Sequence, residues 1–174
     1  MAAKTIGAAA VLAFLLAAPP AFPPAAAGSR TAEGRIVRVV DGDTVAVAAR
    51  RGGSVSVRLY GIDAPEVRHG ETPGQPYGRQ ARQALKELTL GRNVRVEIVD
   101  ADTHGRSVGL VFRGGLNVNL AMVRGGWAWA YRRHLFAPYA SEFIGAEREA
   151  RAKRRGLWRD DNPTPPWEFR WRAR

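Results

Sequence analysis

Three short stretches place acids and arginines where strands end: VDGDTV at 40–45, VRLYGIDAPE at 57–66 and DTHGRSVGLVF at 102–112. In the first, Asp41, Gly42 and Asp43 are ordinary hairpin-turn residues. Two acids nevertheless exceed what a turn needs, and carboxylates are hard oxygen ligands for Ca²⁺ or Mg²⁺. In the second, Arg58 reads as a solvated strand residue and Asp63 as a turn starter, or both do more. The strand end delivers Asp63 to a fixed point and Pro65 stiffens the link to Glu66. Two carboxylates held close together can divide the work, one on a metal and one free as a base. In the third, His104-Gly105 makes a tight turn and Arg106 opens the next strand, either solvated or aimed across the end of a barrel. Acids and arginines gathered this way suit phosphodiester hydrolysis. The anionic diester repels a nucleophile; a divalent cation and guanidinium groups offset that charge and stabilise the transition state.

These residues need a scaffold that holds strand ends together. Residues 35–40 and 44–49 are β-branched runs separated by the DGD turn, a hairpin pattern. Residues 54–62 and 93–99 alternate apolar and polar side chains, so each has one buried and one wet face, and 106–112 returns as a further strand. A long Pro/Gly-rich loop over 63–78 precedes a helical period over 79–90, with Ala81, Ala84, Leu85 and Leu88 on one face. Asn117 or Asn119 can cap a short helix at 119–124, and Pro138 opens a last helix to about Arg155. Five short strands with helices inserted late predict an α+β chain, mainly β: an OB-type five-stranded barrel with three α-helices. The tail from Asp160 is rich in Pro, Trp and Arg and reads as lacking regular structure.

The ends of the chain differ from its middle. Lys4, an apolar run from Ile6 to Ala18 and the small residues Ala25-Ala26-Ala27 have the three parts of a secretory signal. The expected division is a signal over 1–27, an extension over 28–33, a nuclease-like domain over 34–158 and a basic tail over 159–174. The apolar run is shorter than the roughly 20 residues that span a bilayer, so the expectation is a secreted or periplasmic monomer with no membrane contact after cleavage. There is no cysteine, which excludes disulfides and thiolate zinc sites. The formal charge is +11 and nearly all of it is Arg, whose fork suits phosphate oxygens. A basic exported domain fits a polyanion such as nucleic acid.

These fragments, in this order and spacing, resemble the thermonuclease (staphylococcal nuclease-like) family from about Gly34 to Trp158; NLAMVRGGWAW at 119–129 is similar to the family's second helix and following turn. The resemblance implies a Ca²⁺-dependent nuclease that hydrolyses DNA and RNA, single strands preferred, leaving 3′-phosphates. It implies that Asp43, Asp63 and the main-chain carbonyl of Ala64 hold Ca²⁺, that Asp41 stands behind them, and that Glu66 is the general base. Arg58 and Arg106 would bind the scissile phosphate. His104 stands where well-known members carry a Tyr that contacts a nucleotide phosphate, and Tyr131 matches another Tyr that touches base or phosphate.

His69, His104 and His134 do not make a metal-ligand spacing. Trp127, Trp129 and Trp158 read as packing residues, whereas Trp167 and Trp171 read as surface contacts in the tail. The rival from another class is a non-catalytic nucleic-acid-binding barrel. Such a domain is expected to lose some of Arg58, Asp63, Glu66 and Arg106, all present here.

Overall fold

A computed structural model describes residues 30–49, 52–102 and 105–172. The signal reading of 1–27 and His104 fall outside these residues.

Five strands form the barrel: β1 (Arg30–Val39), β2 (Thr44–Ala49), β3 (Ser54–Leu59), β5 (Asn93–Ala101) and β6 (Ser107–Arg113). β1 pairs antiparallel with β2 and β5, β2 with β3, and β5 with β6. The barrel closes where β3 runs parallel to β6, setting Val57 opposite Ser107, Arg58 opposite Val108 and Leu59 opposite Gly109. Closure removes the exposed edges an open sheet would leave. It also brings Arg58 and the start of β6 together, although nearly 50 residues separate them in sequence. A register shift between Ile36 and Arg38 bends β1 into the curve. Ile36, Val39, Val45, Val57, Leu59, Val96, Leu110 and Val111 are buried; the alternation holds at the end of β3, whereas β6 is covered on both faces from Gly109 to Phe112.

α1 (Gly78–Thr89) lays Ala81 and Leu85 on the barrel, both fully buried. α2 (Val118–Arg124) is capped by Asn117, whose side chain accepts from the Leu120 N–H at 3.1 Å. Asn119, the other candidate cap, is instead fully buried. Its amide donates to the Tyr60 and Gly109 carbonyls, and its oxygen accepts from the Val111 N–H, which rivets α2 to the barrel. α3 (Ala140–Ala152) buries Phe143, Ala146 and Ala150.

Two short strands outside the barrel, β4 (Ile62–Asp63) and β8 (Trp129–Ala130), pair antiparallel; β7 (Leu116–Asn117) completes β6. The barrel is the OB-like architecture expected, with a fourth helix. That helix, α4 (Pro166–Arg172), corrects the reading of the tail as irregular. Among the described residues no helix is long and apolar enough to cross a membrane.

Candidate active site

The site forms where β2 begins, β3 ends and β6 begins. Thr44 faces Arg58 across the β2–β3 ladder, so Asp43, one residue earlier, lies beside the guanidinium. Asp43 is 3% exposed. Its Oδ1 accepts from Arg58 Nη1 at 3.1 Å and from Thr44 Oγ1 at 3.0 Å, and its Oδ2 accepts from the Ala64 N–H at 3.0 Å. Asp41 Oδ1 accepts from the Asp43 N–H at 2.9 Å, an Asx turn that fixes the loop. Gly42 between them has a packing reason. A Cβ there would stand 2.6 Å from Ala64 Cβ and 2.8 Å from Ala81 Cβ, so only glycine lets this turn lie against the next loop and α1.

Asp63 is fully buried and reaches the same guanidinium: Arg58 Nη2 donates to Asp63 Oδ1 at 2.9 Å. The β4–β8 pairing places it opposite Trp129, and the next turn of backbone is pinned by the Tyr131 N–H on the Gly61 carbonyl at 2.8 Å. Tyr131 is thereby carried to the site's edge. Glu66 follows in the loop, its side chain 26% exposed. The Glu66 N–H donates to Gln75 Oε1 and the Gln75 N–H donates back to the Glu66 carbonyl at 2.9 Å, so the loop is closed on itself. Gly78 lets α1 start against it, since a Cβ would lie 2.1 Å from the Glu66 carbonyl oxygen.

Arg106 stands at the head of β6, held by Asp102: Arg106 Nε donates to Asp102 Oδ2 at 2.6 Å and the Arg106 N–H to Asp102 Oδ1 at 2.9 Å. Arg58, Arg106 and Tyr131 line one cavity of about 500 Å³, together with Tyr60, Asp102 and His134. The structure thus gathers Asp41, Asp43, Arg58, Asp63, Ala64 and Glu66, and opens a cavity beside them that both arginines line, with Asp100 and Asp102 on the same wall.

The acids are crowded. Burial, helped by the charge of Asp43, pushes the Asp41 carboxyl up to about 7. Burial also pushes Asp63 up, against the pull of neighbouring guanidinium groups. For Arg58, burial works downward but Asp43 and Asp63 outweigh it and hold the guanidinium above its ordinary value. The donors here are oxygens only, which fits a hard divalent cation. Among the described residues no three acidic, His or Cys side chains gather into a ready cage; two carboxylates and main chain are the donors on offer.

The Asp41 shift has a testable sign. An acid whose folded pKa lies above its unfolded one weakens the fold when ionised. The penalty is full above about pH 7 and is lost as pH falls towards 4. Asp41→Asn is therefore expected to stabilise the chelator-treated protein by roughly 2–4 kcal/mol at pH 8 and by under about a third of that at pH 4.5. Urea unfolding at both values checks it; equal gains would show that charge is not the cause.

The sequence reading missed Arg170. Its Nη1 donates to Asp63 Oδ1 at 3.0 Å and to Glu66 Oε1 at 2.6 Å, and its Nη2 to Asp63 Oδ2 at 2.8 Å. Trp167, one helical turn earlier, lies stacked on Tyr131 with centroids 5.4 Å apart and planes 18° apart, and meets Trp129 edge-on at 5.5 Å. It is a half-buried packing residue, not the surface contact expected. Trp171 is exposed. Trp129 and Trp158 are buried as expected, with the Arg151 guanidinium over both rings.

The family model for staphylococcal nuclease homologues matches residues 56–160. A protein of Escherichia coli O157:H7 named uncharacterized endonuclease is 42% identical over 140 residues, 80% of this chain and 85% of its own. Protein ParB of Escherichia coli is 41% identical over 172 residues, covering 94% of this chain and 89% of its own. A micrococcal nuclease of Shigella flexneri is 40% identical over 146 residues, 79% of each chain.

Proposed function

Because the chain belongs to the staphylococcal nuclease-like family, we propose that it is an exported, Ca²⁺-dependent nuclease. Its substrates are DNA and RNA, single strands preferred, and its products carry 3′-phosphates. The observation that carries this reading is the meeting of Arg58 with both Asp43 and Asp63, with Glu66 beside them and Arg106 across the cavity.

In this reading Asp43, Asp63 and the Ala64 carbonyl hold the cation, with Asp41 behind. The bound ion supplies positive charge at the phosphate and acidity to coordinated water. The chain's own groups do the rest. Arg58 and Arg106 donate hydrogen bonds to the phosphoryl oxygens from the cavity wall, where charge grows in the transition state. Glu66 takes the proton of an attacking water; the new oxygen–phosphorus bond forms in line as the bond to the 5′ oxygen breaks. That oxygen leaves with a proton from solvent, and the phosphate stays on the 3′ side. Tyr131 borders the cavity where a base or phosphate of the strand would rest. A flexible single strand reaches a recessed phosphate site more easily than a duplex. The apolar leader pattern over 1–27 supports export.

The purified protein incubated with single-stranded DNA and RNA, in Ca²⁺ or in chelator, tests the reading. Calcium-dependent products ending in 3′-phosphate are expected. Tight binding without cleavage under any divalent ion would leave a binding barrel instead. Arg58→Ala is expected to slow single-turnover cleavage on the order of 10²–10³-fold, the effect of removing one transition-state donor. A loss below tenfold in a variant that melts normally would remove Arg58 from the mechanism.

A further inference from the structure

We propose that residues 162–172 form a strap that shuts the active site, with Arg170 seated in place of the cation and Trp167 in place of a base. The inference rests on the nuclease reading of Asp63, Glu66 and Tyr131. It concerns residues beyond the 56–160 that match the family model.

Three contacts carry it. Arg170 takes both carboxylate oxygens of Asp63, at 3.0 and 2.8 Å, and one oxygen of Glu66 at 2.6 Å. A divalent cation uses the same lone pairs at about 2.3–2.6 Å. A cation on Asp63 and a guanidinium forked onto Asp63 therefore exclude each other, by position and by like charge. The oxygen of Glu66 that bonds Arg170 is likewise withheld from water. Trp167 covers one face of Tyr131, the ring that borders the cavity shared by Arg58 and Arg106. One short helix thus lays a cation and an aromatic ring on the groups that a metal ion and a nucleotide would use.

The strap is held lightly enough to open. α4 has seven residues, too few for a helix to persist alone in water, so its order comes from docking. It hangs on 160–165, which has no helix or strand. Its other anchors are the buried Pro166, the edge of Trp167 against Trp129 and a bond from Gln75 Nε2 to the Thr164 carbonyl. Gln75 is also the residue that closes the Glu66 loop, so the strap and the base share a support. Metal and strand each compete with α4, and neither meets an open site while it is docked.

The test is calcium binding by calorimetry, without nucleic acid, on the unmutated protein, Arg170→Ala and Trp167→Ala. Arg170→Ala is expected to bind Ca²⁺ about tenfold to a hundredfold more tightly, the worth of one charge-assisted hydrogen bond. Ca²⁺ should also speed hydrogen exchange of the Thr164 amide and the 167–172 amides in the unmutated protein. Equal or weaker Ca²⁺ binding by Arg170→Ala, or slower exchange of α4 with Ca²⁺, overturns the strap and makes α4 part of the working site. Trp167→Ala, which leaves the acids untouched, loosens α4 by a second route and should tighten Ca²⁺ binding in the same direction. Cleavage assayed in parallel separates the two readings. Tighter calcium binding with no cleavage by any variant keeps the strap and rejects the nuclease. Cleavage with one calcium dependence in all three does the reverse.

Discussion

Glu66→Gln is expected to reduce phosphodiester cleavage about 10³-fold while leaving the affinity for an uncleaved strand within about twofold. The substitution keeps shape, removes the capacity to accept a proton and takes the charge, though not the acceptor oxygen, from the contact with Arg170. The loop that presents residue 66 is fixed by main-chain bonds to Gln75, which the change does not touch, so the backbone should stay in place. Arg58 and Arg106 are also unaltered, and these supply the binding. The loss should therefore fall in kcat and not in KM. Restoring rate by raising pH should fail in the variant, because hydroxide in solution does not replace a base held beside the phosphate. Single-turnover cleavage with Ca²⁺, alongside fluorescence anisotropy in chelator, reads both quantities. Activity within tenfold of the unmutated protein would mean that another group takes the proton.

Much of this site was legible because its parts are local. The alternation in β3 shows which of its faces is buried, and the DGD turn must follow β1 directly. Closure through Arg58 and Val108 is a matter of barrel topology, so naming the fold was enough to bring Arg58 and Arg106 to one cavity. What escaped was long-range or hidden by composition. Arg170 meets Asp63 across 107 residues, and no periodicity links them. The tail did carry a signal: Pro166 at a helix start, Glu168 in the first turn, and Arg170 and Arg172 in the last. The prolines before it read as irregular and masked that polarity. Asn119 was legible as a cap candidate, yet Asn117 caps α2. Asn119 is drawn into the barrel wall, where its amide bonds three backbone groups of β6 and the residue after β3.

Glu147→Ala is expected to destabilise the protein by about 1–3 kcal/mol, because it leaves the buried Ala130 N–H without an acceptor, while the half-exposed Arg151 is taken up by water. Glu147 is 2% exposed on α3, beside the apolar stripe of Phe143, Ala146 and Ala150. One oxygen accepts from the Ala130 N–H at 3.1 Å; the other pairs with Arg151 at 2.5 Å. The Ala130 N–H belongs to β8, the strand that holds β4, and β4 carries Asp63. Arg151 in turn covers the rings of Trp129 and Trp158. One carboxylate thus ties α3 to the strand pair that sets a site acid, without touching the cavity itself. Glu147→Gln can keep the bond to Ala130 but loses the charge, and is expected to cost about half as much. If the tie matters to the site, the two variants should also lose calcium affinity in the same order, measured below their melting points. Loss of stability with unchanged calcium affinity would show that β4 holds Asp63 in place without help from α3.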